Sequence, residues 1–233
     1  MRPTNDQPRT GVLLSGGIDS AVLLDQFLGR GEFVFPFYVR TGCAWQACEL
    51  AATERFLVQI ARAGLAELVV LDMPLADLYG DHWSISGTNV PDASTPDEAV
   101  YMPGHNPLIL IKPALWCQLH GIEKLALATL AANPFRDATP EFFARFEAML
   151  HEAVGGHVEI VRPFERMTKA QILEMGRHLP LELTFSCLSP VAGLHCGRCN
   201  KCAERRHGFR DAGLEDHTQY AAALNSQQAE AAG

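Results

Sequence analysis

Positive charge is scarce in this sequence. Its 19 Lys and Arg face 27 Asp and Glu, for a formal net charge of -8. Tight binding to long nucleic acid needs a basic surface that neutralises phosphates, so nucleic acid is not an expected partner. Long apolar runs are missing as well. None approaches the roughly 20 residues that cross a bilayer as a helix, so no membrane role is expected. The opening MRPTNDQPRT is polar and lacks the charged-then-apolar pattern of a secretion signal. The expected compartment is the cytoplasm. There is no internal repeat. Charged residues make up only 20% against 48% hydrophobic, a balance of folded chains rather than disordered ones. The 233 residues suit one α/β domain of ordinary size with a small appendage.

Strand and helix signals alternate through residues 10–161. Strands are expected at 10–14, 32–39, 67–71, 124–129 and 157–161, and helices at 21–28, 45–63, 107–120 and 140–153. Thr139 precedes Pro140 as an N-cap before a first-turn proline. Thr168 and Gln171 form a capping box for one more helix. Such alternation implies a parallel sheet with helices on both faces and ligands at the carboxyl ends of the strands. Two parts are expected: residues 1–165 as the α/β domain and 166–233 as a helical C-terminal region. The polar stretch 73–102 is too long for an idle loop, and either a lid or a surface loop would account for it.

Ser15-Gly16-Gly17-Ile18-Asp19-Ser20 follows the first strand and opens the first helix. Paired glycines allow a tight turn, so that backbone amides and the helix N-terminus converge on an anion. Ser15 and Ser20 add hydroxyl donors. Asp19 would be repelled by phosphates unless it holds a bridging Mg2+. The lysine of a Walker A loop is missing. A plain glycine turn is the alternative.

Seven cysteines occur, and four of them, Cys187, Cys196, Cys199 and Cys202, follow C-x8-C-x2-C-x2-C. Two-residue spacings let thiolates converge on one tetrahedral Zn2+. A redox CxxC is the competing reading. His195 is expected beside the metal rather than on it. Cys117, in an apolar helix, is expected to be core. Cys43 and Cys48 are either reactive groups near the site or buried filler. Phe142, Phe143 and Phe146 have the spacing of a helix's core face.

The SGGIDS segment resembles the signature of the PP-loop ATP pyrophosphatases, which split ATP into AMP and pyrophosphate. The resemblance implies a doubly wound five-stranded parallel sheet. Together with Met102-Pro103-Gly104-His105-Asn106 and the cysteine spacing, it extends over residues 11–209 to the 7-cyano-7-deazaguanine synthase family. That implies ATP, Mg2+ and Zn2+ as cofactors. It also implies the conversion of 7-carboxy-7-deazaguanine and ammonia to a nitrile on the path to queuosine, and a homodimer as the expected assembly. Ser15 to Ser20 would bind the cofactor, and Asp19, Ser20 and Lys169 would be catalytic. Lys169, next to Arg162-Pro163-Phe164, is similar to a family lysine near the ATP phosphates; a solvated helix charge is the other reading. Phe135, Asp137 and Asn106 would meet the substrate.

Two segments depart from the family pattern. D-Y-G-Q-x-H is replaced by Arg40-Thr41-Gly42-Cys43-Ala44-Trp45, and S-G-Y-P-D-C-R by Asn133-Pro134-Phe135-Arg136-Asp137-Ala138-Thr139. A paralogue adenylating a different carboxylic acid is therefore the alternative. A tRNA-thiolation enzyme using Cys43, and a nucleotide-binding module without turnover, are further rivals.

Overall fold

The computed structural model describes residues 7–221. β1 (Arg9–Leu14) is the middle strand of a five-stranded sheet. β2 (Phe33–Arg40) and β3 (Val69–Asp72) extend it on one side, β4 (Lys124–Ala126) and β5 (Glu159–Val161) on the other. The order is β3-β2-β1-β4-β5, and every pairing is parallel. Strand order reverses between β1 and β4, so a crevice opens at their carboxyl ends.

The helices are α1 (Ile18–Gly29), α2 (Gln46–Gln59), the short α3 (Ala76–Tyr79) and α4 (Trp83–Ser86), then α5 (His105–Leu119), α6 (Pro140–Val154), α7 (Lys169–Met175) and α8 (Asn200–Asp211). Side chains alternate along a strand. Val12 and Leu14 accordingly join the core under α1, α2, α7 and α8, while Leu13 joins that under α5 and α6. Gly11 faces the second core. A Cβ there would lie 2.7 Å from the Phe37 ring and 2.9 Å from Cys117 Sγ. Cys117 is thus packed core, as its helix pattern suggests.

The expected caps are present. Thr139 Oγ1 accepts from Phe142 N at 3.1 Å. Thr168 Oγ1 accepts from Gln171 N at 3.3 Å, and Gln171 Oε1 accepts from Thr168 N at 2.9 Å. On α6, Phe143, Phe146 and Leu150 are buried, each burial contributing roughly 1.5–3 kcal/mol. Phe142 packs at the edge of the same core.

Boundaries shift where backbone pairing competes with helix or strand periodicity. α2 ends at Gln59 rather than at residue 63, because the chain turns back at Gly64 (φ +90) and Ala66 N bonds to Val34 O at 2.9 Å. β4 ends at Ala126, short of the expected 129, and Ala128 and Thr129 line the crevice instead. The stretch 73–102 is not bare loop. It holds α3, α4 and a turn of 3₁₀ helix (Asp97–Val100). Its later part is strapped to the cysteine knuckle: Asp92 pairs antiparallel with Cys199, Ala93 N donates to Arg198 O at 2.9 Å, and Asn200 Nδ2 donates to Thr95 O at 3.0 Å. Beyond residue 165 the chain shares the sheet's own core, through Ile172 and Leu173 of α7 and Phe209 of α8.

Candidate active site and metal centre

The loop after β1 is held by Phe185 from outside and by Ser20 from within. Gly16 has φ +70, a conformation only glycine adopts freely, and its carbonyl accepts from Phe185 N at 2.7 Å. The buried Ser20 braces the turn. Its Oγ accepts from Ser15 N at 3.2 Å, donates to Gly17 O at 3.0 Å and lies 3.3 Å from Ser15 Oγ. α1 starts without a side-chain cap. Its first-turn amides are therefore free of the usual intramolecular partner, which is the condition for binding an anion there.

Asp19 projects from this helix start to Lys169, the first residue of α7. Lys169 Nζ lies 2.8 Å from Asp19 Oδ1 and 2.6 Å from Oδ2, and 3.4 Å from Glu204 Oε1 of α8. Lys201 Nζ pairs with Glu204 Oε2 at 2.5 Å. Burial alone would lower the Lys169 ammonium, but the charges of Asp19 and Glu204 outweigh it and hold its pKa above the ordinary value. Burial pushes Glu204 the other way, yet Lys169 and Lys201 bring it down to about 2. Asp19, Lys169, Glu204 and Lys201 thus form one alternating chain of charge at the mouth of the crevice.

Three adjoining hollows share Asp19. The largest, of about 270 Å³, runs between the carboxyl ends of β1, β2 and β4 and is lined by Tyr38, Thr129, Asn106 and His105 among others. A second, of about 260 Å³, has Phe135, Met167 and Lys201 in its walls. The third, also about 260 Å³, lies over the loop itself, with Phe185, Ser186 and Arg205.

Among the expected substrate residues, Asn106 and Asp137 touch each other. Asn106 N donates to Asp137 Oδ2 at 3.1 Å and Asn106 Nδ2 to Asp137 O at 2.8 Å. Asp137 therefore anchors the start of α5, and burial raises its pKa. Phe135 stands apart, its ring 5.2 Å from that of Tyr101. Cys43 lines the largest hollow, but burial pushes its thiol up to about 11 although the Thr41 hydroxyl pulls it back. A thiol so protonated is a poor nucleophile. Trp45 lines the same hollow and stacks on Trp83 of α4, ring centroids 5.7 Å apart.

Several residues at the site were not singled out from the sequence. Tyr38 OH donates to Glu49 Oε2 at 2.6 Å. Arg205 is 2% exposed, and it donates to Thr218 Oγ1, Thr184 Oγ1 and Leu181 O at 2.7, 2.8 and 2.7 Å. Burial lowers its pKa. Lys201 and Glu204 could have been found: Lys201 lies inside the last CxxC, Glu204 two residues beyond it, and they face one another at i,i+3 spacing. Glu49 and Arg205 carried no such signal.

The four expected metal ligands converge. The sulfurs of Cys187, Cys196, Cys199 and Cys202 lie within 4.8 Å of one another, all buried. Backbone amides aim at them. Cys196 N and Ser189 N donate to Cys187 Sγ at 3.1 and 3.4 Å, and Arg198 N and Cys199 N to Cys196 Sγ at 3.3 Å each. Such donors stabilise thiolates, and a buried group of four thiolates requires a cation. The donor set therefore fits a tetrahedral metal site with no open position. His195 Nε2 accepts from Ser186 N at 3.2 Å, so that nitrogen's lone pair is taken.

A family model described as queuosine biosynthesis protein QueC matches residues 9–213. The 7-cyano-7-deazaguanine synthase of Thiobacillus denitrificans is 32% identical over 226 residues, covering 92% of this chain and 99% of that one. The enzyme of the same name from Stutzerimonas stutzeri is 31% identical over 228 residues, with 92% and 99% covered. Among solved structures, a 4-thiouridine synthetase in complex with RNA and bound ATP aligns with a TM-score of 0.52 at 16% identity, over 91% of this chain and 52% of that chain. The NMN synthetase of Francisella tularensis aligns at 0.50 and 15%, over 91% and 79%. At such identities these two establish likeness of fold alone.

Proposed function

The chain belongs to the queuosine biosynthesis protein QueC family, and from that premise we propose that it converts 7-carboxy-7-deazaguanine and ammonia to 7-cyano-7-deazaguanine, using ATP and forming AMP and pyrophosphate. The observation that carries the reading is the meeting of two matched motifs at one point. Asp19 of the SGGIDS loop is gripped by Lys169 and, through it, joined to Glu204 of the helix that starts at the cysteine knuckle.

In this reading the acid's carboxylate attacks the α-phosphate of ATP. The free amides at the start of α1, with Ser15 and Ser20, receive the pyrophosphate. Asp19 would hold Mg2+, which would supply charge to neutralise the phosphates, and Lys169, beside it, would bind phosphate oxygens. These groups work by positioning and by charge. Ammonia then displaces AMP to give an amide, and a second activation of the amide oxygen allows elimination to the nitrile. No step needs a nucleophile from the protein, in keeping with a protonated Cys43.

Zn2+ is the metal proposed for Cys187, Cys196, Cys199 and Cys202, where it would fix the segment 92–95 and the start of α8 relative to each other. Residues 1–165 would supply the nucleotide site and 166–233 the knuckle and Lys169. The protein would act in the cytoplasm; no helix among the described residues is long and apolar enough to cross a membrane. A homodimer is the expected assembly, read by light scattering.

The replaced segments at 40–45 and 133–139 favour a second reading, in which the same machinery adenylates another carboxylic acid. One assay separates the two. The purified, zinc-loaded protein is given Mg-ATP, ammonium and 7-carboxy-7-deazaguanine, and AMP and nitrile are followed together by mass spectrometry. Parallel appearance of both supports the first reading. ATP binding that depends on Asp19, with no nitrile formed, supports the second.

A further inference from the structure

One half-buried acid at the site has no part in the reaction as described. Glu49 lies on α2, behind the loop. A Cβ added to Gly16 would fall 2.6 Å from Glu49 Cγ, so the absence of a side chain at Gly16 is what lets the Glu49 stem lie against the turn. Its side chain lines both the 270 Å³ crevice and the hollow over the loop. Tyr38 holds Oε2 at 2.6 Å, which leaves Oε1 as the oxygen able to meet a ligand. None of the ion pairs among the described residues includes Glu49. A carboxylate in that place would confront bound phosphates with no cation of its own, and a neutral carboxyl would offer them a donor.

We propose that Glu49 is a proton-bearing carboxyl that donates a hydrogen bond to the pyrophosphate seated on residues 15–20, so that the loop's grip on this product depends on one proton. The inference rests on the reading of this loop as a pyrophosphate site. Burial lifts Glu49 to about 8, and the bond from the Tyr38 hydroxyl pulls it back only in part.

Several of the groups facing it are held in one protonation state across that range. On its own side of the crevice, burial raises Tyr38 beyond the ordinary phenol value and Cys43 to about 11, so both keep their protons. On α5, burial lowers His105 to about 4, leaving a neutral ring. Across the loop stand the charges of Asp19 on α1, Lys169 on α7, and Lys201, Glu204 and Arg205 on α8. Glu204 sits at about 2 and Lys169 is raised, so both stay charged, and a buried guanidinium keeps its proton.

The test is calorimetric titration of Mg-pyrophosphate into the full-length, zinc-loaded protein at about pH 6.5 and about pH 9.5, with Glu49→Gln and Tyr38→Phe beside it. Glutamine keeps a donor at every pH, and the ligand's own titration is common to all three proteins. The wild type is expected to lose about tenfold more affinity across the interval than Glu49→Gln. Tyr38→Phe removes a bond that favours the ionised form, so it should move the step to higher pH. Equal pH dependence in wild type and Glu49→Gln, with pyrophosphate bound by both, overturns the role of Glu49. Absence of pyrophosphate binding in every protein at either pH overturns the reading of the loop itself, and this inference with it.

Discussion

Lys169 grips both oxygens of Asp19, at 2.8 and 2.6 Å, across 150 residues of sequence. The pair joins the start of α1 to the start of α7, and each side chain is about one-fifth exposed. A Mg2+ ion on Asp19 would have to take the carboxylate from the ammonium, which then becomes free for phosphate. In the proposed reaction, replacing Lys169 by Met removes a charge that would act on the phosphates. The expected result is a fall in the rate of AMP formation of about 10² to 10³-fold, the cost of one preorganised electrostatic contact. A double-mutant cycle with Asp19→Asn should be non-additive by about 1 kcal/mol or more, since the two groups share one task. Additive losses would show that they act separately.

Much of this site could be read before the structure, and the parts that could not have a common cause. The loop 15–20 and the four cysteines are contiguous or nearly so, so their spacing, with the family resemblance, suggests their chemistry. Thr139 and Thr168 likewise cap the helices their neighbours predict. Glu49, Tyr38 and Arg205 acquire meaning only from what packs on them. Glu49 looks like any polar residue of an amphipathic helix until Gly16, far away in sequence, is laid against it. Arg205 looks like a surface charge until Thr184, Thr218 and Leu181 enclose it. Asp137 reads as a substrate contact, yet its carboxylate is engaged by the amide of Asn106. The stretch 73–102 hides its order because the bonds that hold it, to Arg198 and Asn200, cross the chain.

The cysteine knuckle ties residue 92 to residue 199 and sets the start of α8, which carries Lys201, Glu204 and Arg205. Removing its metal leaves four buried sulfurs with no counter-charge. Each kcal/mol lost lowers Tm by about 2–4 °C in a chain of this size, and structural zinc contributes several kcal/mol to folding. Chelation, or Cys196→Ser, should therefore lower Tm by about 10 °C or more and abolish AMP formation. Elemental analysis should find Zn2+ in the active protein. A chelated protein with unchanged Tm would rule out a structural metal.

Phe135 and Tyr101 present neighbouring rings, 5.2 Å apart, beside the hollow that Asp19 and Lys169 share. A planar acid lying on Phe135 would gain roughly 1–3 kcal/mol from stacking on the ring. Phe135→Ala is expected to raise KM for the acid by about tenfold to a hundredfold while KM for ATP stays within about twofold. Equal changes in both constants would place the ring in the ATP site or in the fold instead.

Glu49 also bears on stability. Its folded-state pKa, about 8 through burial, lies well above the roughly 4.3 of an unfolded chain. Between those values the native protein holds a proton that the unfolded chain has released. Stability from this group is thus fully present below the unfolded pKa and declines as pH rises toward 8, then levels off. Glu49→Gln removes the charge that must be buried or neutralised. Its stability relative to wild type should therefore grow with pH, reaching on the order of 2 kcal/mol above pH 8 after allowance for partial solvent access. Urea denaturation midpoints across this range read the difference. Parallel curves for the two proteins would mean that Glu49 ionises in the native state as easily as in the unfolded chain.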